Sequence, residues 1–222
     1  MTSARRVNCV NWRQQLFSSA IGNLVSLGRK QLALMLIWAC APALAVAQAA
    51  GQSPSIDAAL LAKANNGDAA AEVQVGEQYA QAAAAAHDRE QIAEDLKQAA
   101  VWYRKAADQN SIAGELHLAA LFRDGGEGFP RDMGQAAAWY RKAAEQGDAG
   151  AQGTLGVLYS IGQGVPQSDV EAYFWLDIAA SVKGPNQEKY AANRQMVGQH
   201  ITADELSDVE DRVKKWKAAH PR

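Results

Sequence analysis

Four histidines, His87, His117, His200 and His220, are the side chains best suited to bind a metal or move a proton near neutral pH. None stands at a metal-ligand spacing or has a regularly placed acidic companion, so each is expected to be an ordinary polar residue. The acids Asp204, Glu205, Asp208, Glu210 and Asp211 are dense enough to suggest a cation site. They are followed by Lys214, Lys215 and Lys217, which makes a helix polarised to suit its own dipole. Pairs four apart, Asp208–Arg212, Glu210–Lys214 and Asp211–Lys215, are expected along it. Gly126-x-Gly128 and Gly162-x-Gly164 follow no strand and are therefore loop glycines rather than a phosphate cradle. No Gly-x-Ser-x-Gly or Ser-x-x-Lys nucleophile motif occurs. No catalytic residue, metal or cofactor is expected, and the chain reads as a non-enzyme.

The net charge of −2 is unevenly spread. Residues 1–47 hold Arg5, Arg6, Arg13, Arg29 and Lys30 and no acid, which leaves 17 bases against 24 acids in residues 48–222. A body with a net charge of −7 does not suit a phosphate backbone, so nucleic acid is excluded as a partner. Both cysteines, Cys9 and Cys40, lie in the first segment, so no disulfide framework or thiolate site follows it. Arg29-Lys30, an apolar stretch from Leu32 to Ala41 and Ala45-Val46-Ala47 make the n, h and c regions of a signal peptide over about residues 25–47. Cleavage after Ala47 would start the mature chain at Gln48, in the periplasm or outside the cell. An uncleaved leader is the alternative, and the only route by which the chain would reach a membrane. For residues 1–24 two readings stand: translation begins near Val25, or the segment is an organellar transit peptide.

Tryptophan recurs at Trp102, Trp139 and Trp175, at intervals of 37 and 36 residues. Ala99, Ala136 and Ala172 precede these, and Ala106-Ala107, Ala143-Ala144 and Ala179-Ala180 follow, all on one helical stripe. Upstream runs a second stripe: Ala71, Val75, Gly76 and Tyr79; Gly114, Leu118, Ala119 and Phe122; Ala151, Leu155, Gly156 and Tyr159. Its central small residue lets a neighbouring helix approach closely. Gly-x-Gly-aromatic-or-aliphatic-Pro loops at 126–130 and 162–166 join the two helices in the second and third units. Gly147 and Asp148 supply a C-cap and the next N-cap. Each unit is thus an αα-hairpin of 36–37 residues.

The Ala-x3-Leu-Gly-x2-Tyr helix, the Gly-x-Gly-Val-Pro loop and Ala-x2-Trp-Tyr-x-Lys-Ala-Ala-Glu-Gln-Gly resemble the Sel1-like repeat family over roughly residues 68–184. The resemblance implies an all-α, right-handed α/α solenoid of tetratricopeptide-like hairpins with helical caps. The expected divisions are a leader at 1–47, a linker and N-terminal capping helix at 48–67, and repeats at 68–110, 111–147 and 148–184. A C-terminal capping helical hairpin at 185–222 completes the chain, its last helix opened by the capping box Thr202-x-x-Glu205. The first repeat is irregular, with a long loop: Tyr79 to Trp102 spans 23 residues, against 17 and 16 in the others. Ala82–Ala86 continues its first helix and residues 87–90 turn it.

The resemblance further implies a scaffold or adaptor in the cell envelope, holding a peptide or partner helix on a concave face lined by the first helix of each repeat. The expected contacts are Glu72, Glu115 and Gln152, exposed beside the packing stripe, with ring edges from Tyr79, Phe122 and Tyr159. A monomer with an unidentified protein or peptide partner is expected. A secreted host-interaction factor is the alternative. A β-lactam-binding enzyme is disfavoured, because the relatives linked to that activity carry a disulfide in each repeat and residues 48–222 have no cysteine.

Overall fold

The computed structural model describes residues 54–221, and over these every regular element is an α-helix. The leader, its cleavage point and both cysteines lie outside the described residues. Nine helices follow one another: α1 (Ala58–Asn65), α2 (Ala69–Ala85), α3 (Arg89–Asp108), α4 (Ile112–Asp124) and α5 (Met133–Glu145), then α6 (Ala149–Ile161), α7 (Asp169–Ala180), α8 (Gln187–Gly198) and α9 (Ala203–Ala219).

The helix ends are set locally. Asp57, Asp68, Asp88, Asp132 and Asp148 accept hydrogen bonds from backbone N–H groups of the first turn that would otherwise lack partners. Ser111 and Ser168 do the same with hydroxyls, and Thr202 with Glu205 forms the full reciprocal capping box. The tight turns between repeats need one left-handed residue each, supplied by Gly67, Asn110 and Gly147.

α2 with α3, α4 with α5 and α6 with α7 are the three hairpins, and each second helix also packs on the first helix of the next. The Ala and Trp stripes supply the shared core: Ala99, Ala106, Leu118, Ala119, Ala136, Ala143, Ala151, Leu155 and Ala172 are fully buried. Alanine keeps helix axes close, and the large rings of Trp139 and Trp175 fill the remaining gaps. At Gly76 a Cβ would sit 2.6 Å from the Tyr103 ring, so the absence of a side chain lets α3 lie against α2. The loops stitch hairpins together: Gly126 faces Leu96 of α3, and a Cβ on Gly164 would overlap the Met133 carbonyl at the start of α5. In both looped repeats the N-cap amide of the second helix donates to the carbonyl of the aromatic residue, Asp132 to Phe122 at 2.8 Å and Ser168 to Tyr159 at 3.0 Å.

Two expectations about the ends of the stack are corrected. The first repeat has no long loop. Its extra residues lengthen the helices to 17 and 20 residues, against 13 in both helices of the second repeat, and only 86–88 connect them. The Ala82–Ala86 run favours this, because each added alanine gains an intrahelical hydrogen bond at almost no side-chain entropy cost. Nor do the last two helices form a hairpin. α8 and α9 both pack on α7 and make little contact with each other. Side chains decide that course: Trp216 meets Trp175 edge-on, and Arg212 lies over Phe174 and 2.8 Å from Glu171. Arg212 is therefore not paired with Asp208, and Asp211 takes Lys214 three residues on, at 2.9 Å, rather than Lys215.

At the other end α1 lies on α2, with Leu60, Leu61 and the buried Ala64 against Ala71, Val75 and Trp102. It covers the apolar face that the preceding repeat would otherwise occupy.

Candidate functional site

Glu72, Glu115 and Gln152 are not surface positions. They are 4%, 1% and 0% exposed. Each follows the small residue that opens a first helix, and that helix start is wedged between two second helices. Around α4 the wedge is explicit: Gly114 lies against Ala106 and Ala107 of α3, while Glu115 reaches the end of α5. A residue next to the packing stripe is thereby covered from both sides.

The acids form a repeated clasp. Gln109 Nε2 donates to Glu72 at 2.7 Å, and Gln146 Nε2 donates to Glu115 at 2.8 Å. In each case the donor closes the hairpin from the far end of the second helix. Lys105 and Lys142 stand by electrostatically and rest over the Trp102 and Trp139 rings, at 3.7 and 3.9 Å from the ring centres. Burial pushes both carboxyls above the ordinary range, against the pull of the lysines and glutamines. Their place in the first turn of α2 and α4 favours negative charge there. In the third repeat all three partners change together: Gln152 replaces the acid and donates to the Ala144 carbonyl at 3.0 Å, Ile178 stands where the lysine was and Val182 where the glutamine was. That clasp is neutral.

The three rings are also spoken for. Phe122 is buried against Phe129, with ring centres 5.4 Å apart. Tyr159 is buried and its hydroxyl accepts from Arg141. Tyr79, half-buried, bridges the N-terminal cluster and the main core. Five of the six expected contact residues are therefore buried in packing within or between hairpins, and Tyr79 is half-buried there.

The open positions of the first helices lie elsewhere, at offsets −2, +1 and +5 from the central small residue. They are Gln74, Glu77 and Gln81 on α2; His117, Ala120 and Asp124 on α4; and Thr154, Val157 and Ile161 on α6. Gln74, Gln81, Asp124 and Ile161 are exposed and the other five half-buried, Val157 against the core. Steps of three and four put each trio on one side of its helix. Glu77 Oε1 is 3.2 Å from His117 Nε2, so the trios of α2 and α4 touch. His117 thus does have an acidic neighbour, and its ring stacks on Tyr103 at 4.9 Å. His200 likewise stands 3.6 Å from Asp169. Burial, with Glu77 adding to it, pushes the Tyr103 phenol up to about 12. Apart from His117, the residues of these trios were not singled out from sequence; the −2/+1 register would have found them had exposure been assigned from the far side of the stripe.

Among the described residues no group of three or more His, Cys, Asp or Glu is placed to hold a metal. No described helix is long and apolar enough to cross a membrane. Asp95 is buried and accepts from Gln91 Nε2 at 2.9 Å on its own helix.

The Sel1 repeat model matches residues 78–111, 113–148 and 150–181. Among solved structures, the chain is similar to a protective antigen present in uropathogenic Escherichia coli strains and displaying an SLR fold. The identity is 25%, over 72% of this chain and 40% of that one, with a TM-score of 0.48. It is also similar to a Sel1 repeat protein from Oxalobacter formigenes, at 30% identity over 60% of this chain and 95% of that one, with the same TM-score. The chain thus spans well under half the length of the first of these. No curated protein matches its sequence. Three tandem matches fall on the three hairpins whose alanine stripes and tryptophans build the core, and the chain belongs to the Sel1 repeat family.

Proposed function

We propose that this protein is a non-enzymatic scaffold of the cell envelope that binds a peptide or a partner helix along its first-helix surface. Sel1 repeat proteins are commonly protein–protein interaction scaffolds. The observation that carries the reading here is the surface of α2 and α4, joined through Glu77 and His117 and repeated at the same offsets on α6, on a stack whose buried Glu72 and Glu115 are spent in its own hairpins. A repeat array presents such an extended surface because each unit contributes one strip of it. The envelope part of the proposal rests on the basic-apolar-small pattern of residues 29–47.

Two experiments test it. N-terminal sequencing of the protein purified from cells should begin at Gln48; a first residue near Thr2 would contradict export. A photo-crosslinking residue placed at Ala120 should capture a defined protein, and the same residue at Ala138, on the exposed outer side of α5, should not. Equal capture from both positions, or from neither, would remove the first-helix surface as the binding face.

A further inference from the structure

The nine exposed or half-buried positions of the first-helix surface are not chemically uniform. On α2 they are two amides flanking an acid, Gln74, Glu77 and Gln81; on α4 they are mixed; on α6 they end in Val157 and Ile161. Ile161 is 53% exposed, one of the few large apolar side chains left open. Asp124, the other acid of the surface, is already held at both carboxylate oxygens by Arg123, at 2.7 and 2.8 Å. Glu77 is the one carboxylate of the nine without a permanent cation; its neighbour His117 carries charge only when protonated. The Gln74 and Gln81 amides each offer a donor and an acceptor, which suits a peptide main chain whatever its sequence.

We infer that the ligand is an extended peptide segment with a basic residue over Glu77 and an aliphatic residue against Val157 and Ile161. The inference rests on the scaffold reading and specifies its partner. Successive first helices make only slight contact with each other, each packing on the second helices beside it. Each step is therefore at or beyond the upper end of the roughly 8–10 Å of directly packed helices, and α2 and α6 are about 20 Å apart. An extended chain advances about 3.3 Å per residue, which places the two anchors about five or six residues apart. Charge complementarity chooses the basic end, and the amides flanking Glu77 hold the backbone beside it. The aliphatic end supplies apolar burial that the polar end lacks. An uncharged or acidic segment would leave the Glu77 carboxylate desolvated without a counter-charge.

The test uses the full chain and fluorescein-labelled octapeptides of Gly and Ser carrying one Lys and one Leu at separations of two to seven residues. Fluorescence anisotropy is expected to give the tightest binding at a separation of five or six. Replacing the Lys by Glu should weaken it by about fivefold, the range of a partly exposed ion pair. Glu77→Lys should reverse that preference, so that the Glu peptide binds the variant better than the Lys peptide. Ile161→Asp should remove the dependence on Leu while leaving the dependence on Lys. Both positions are open, and circular dichroism verifies that each variant remains helical. Affinities independent of separation, or unchanged by both variants, overturn the inference while leaving the scaffold reading intact. Absence of binding by every peptide also overturns it, and the crosslinking result at Ala120 then decides the scaffold reading separately.

Discussion

Glu72 and Glu115 show how an acid repeated in two successive units can be structural. Each is buried, bonded to one glutamine and raised in pKa chiefly by loss of water. A carboxyl whose folded pKa lies above its unfolded value stabilises most below the unfolded value, and that stability is lost as pH rises through the folded one. The two clasps are therefore at their weakest at neutral pH, and the third repeat, with Gln152, has no such penalty. The paired change Glu72→Gln with Glu115→Gln is expected to raise Tm at pH 7, with the advantage over the parent chain shrinking as pH falls toward the carboxylate range. Differential scanning calorimetry at several pH values checks this. A constant difference at all pH values would mean that the lysines fully compensate the buried charge.

The loops of the second and third hairpins act as packing elements. Gly164 has φ +73 and a Cβ there would meet the α5 backbone, whereas Gly67 has φ +84 and open space around it. Alanine at Gly67 should cost only the left-handed strain, about 1–2 kcal/mol. At Gly164 an overpacking cost of about 1–3 kcal/mol adds to that, because a backbone carbonyl cannot swing aside as a side chain can. Urea denaturation of the two variants should therefore separate them clearly, with Gly164→Ala the less stable. Similar losses would show that the loop moves off α5 at little cost. The same contrast explains why a loop of this kind accompanies each interface: it fastens one hairpin to the helix before it.

The stack ends differently on its two sides. α1 seals the first repeat with apolar contacts, whereas the last two helices add to the buried Val197, Val209 and Val213 a shared charged anchor on α7, Asp177. That carboxylate accepts from Lys217 of α9 at 2.7 Å and from Arg194 of α8. Burial works against its charge, but the two cations outweigh burial and hold the carboxyl below the ordinary range. The sign is opposite to that of the clasps: this stability is present at neutral pH and is lost as pH falls through the lowered pKa. Acid should thus loosen α8 and α9 while the hairpins remain closed. Hydrogen exchange of the full chain, corrected for intrinsic rates, should show α8 and α9 losing protection first as pH is lowered. In Asp177→Asn the same two helices should be less protected at pH 7, by about 1–3 kcal/mol, and largely indifferent to pH. Loss of protection spread evenly over all helices would mean that the stack unfolds as one unit.

The periodic features were legible in the sequence because they act over short distances. The alanine stripes around each tryptophan, the left-handed Gly147 and the Asp148 cap each concern residues within one or two helical turns, and each is found where the pattern put it. The N-terminal capping helix and the Thr202–Glu205 box were legible for the same reason. What the sequence did not reveal was which sector of each first helix stays open. A helical wheel fixes the angle of Glu72 or Glu115 beside the stripe, but not how far two flanking second helices close over that angle. Wedging between them buries residues that a single neighbour would leave exposed, and leaves the sector of Gln74, Glu77 and their counterparts the less covered side. The course of α9 was equally out of reach, since Trp216 and Lys217 find Trp175 and Asp177 about forty residues away, across a turn that local pattern does not orient. Local chemistry determined the hairpins; only their mutual packing decided which surface remained for a partner.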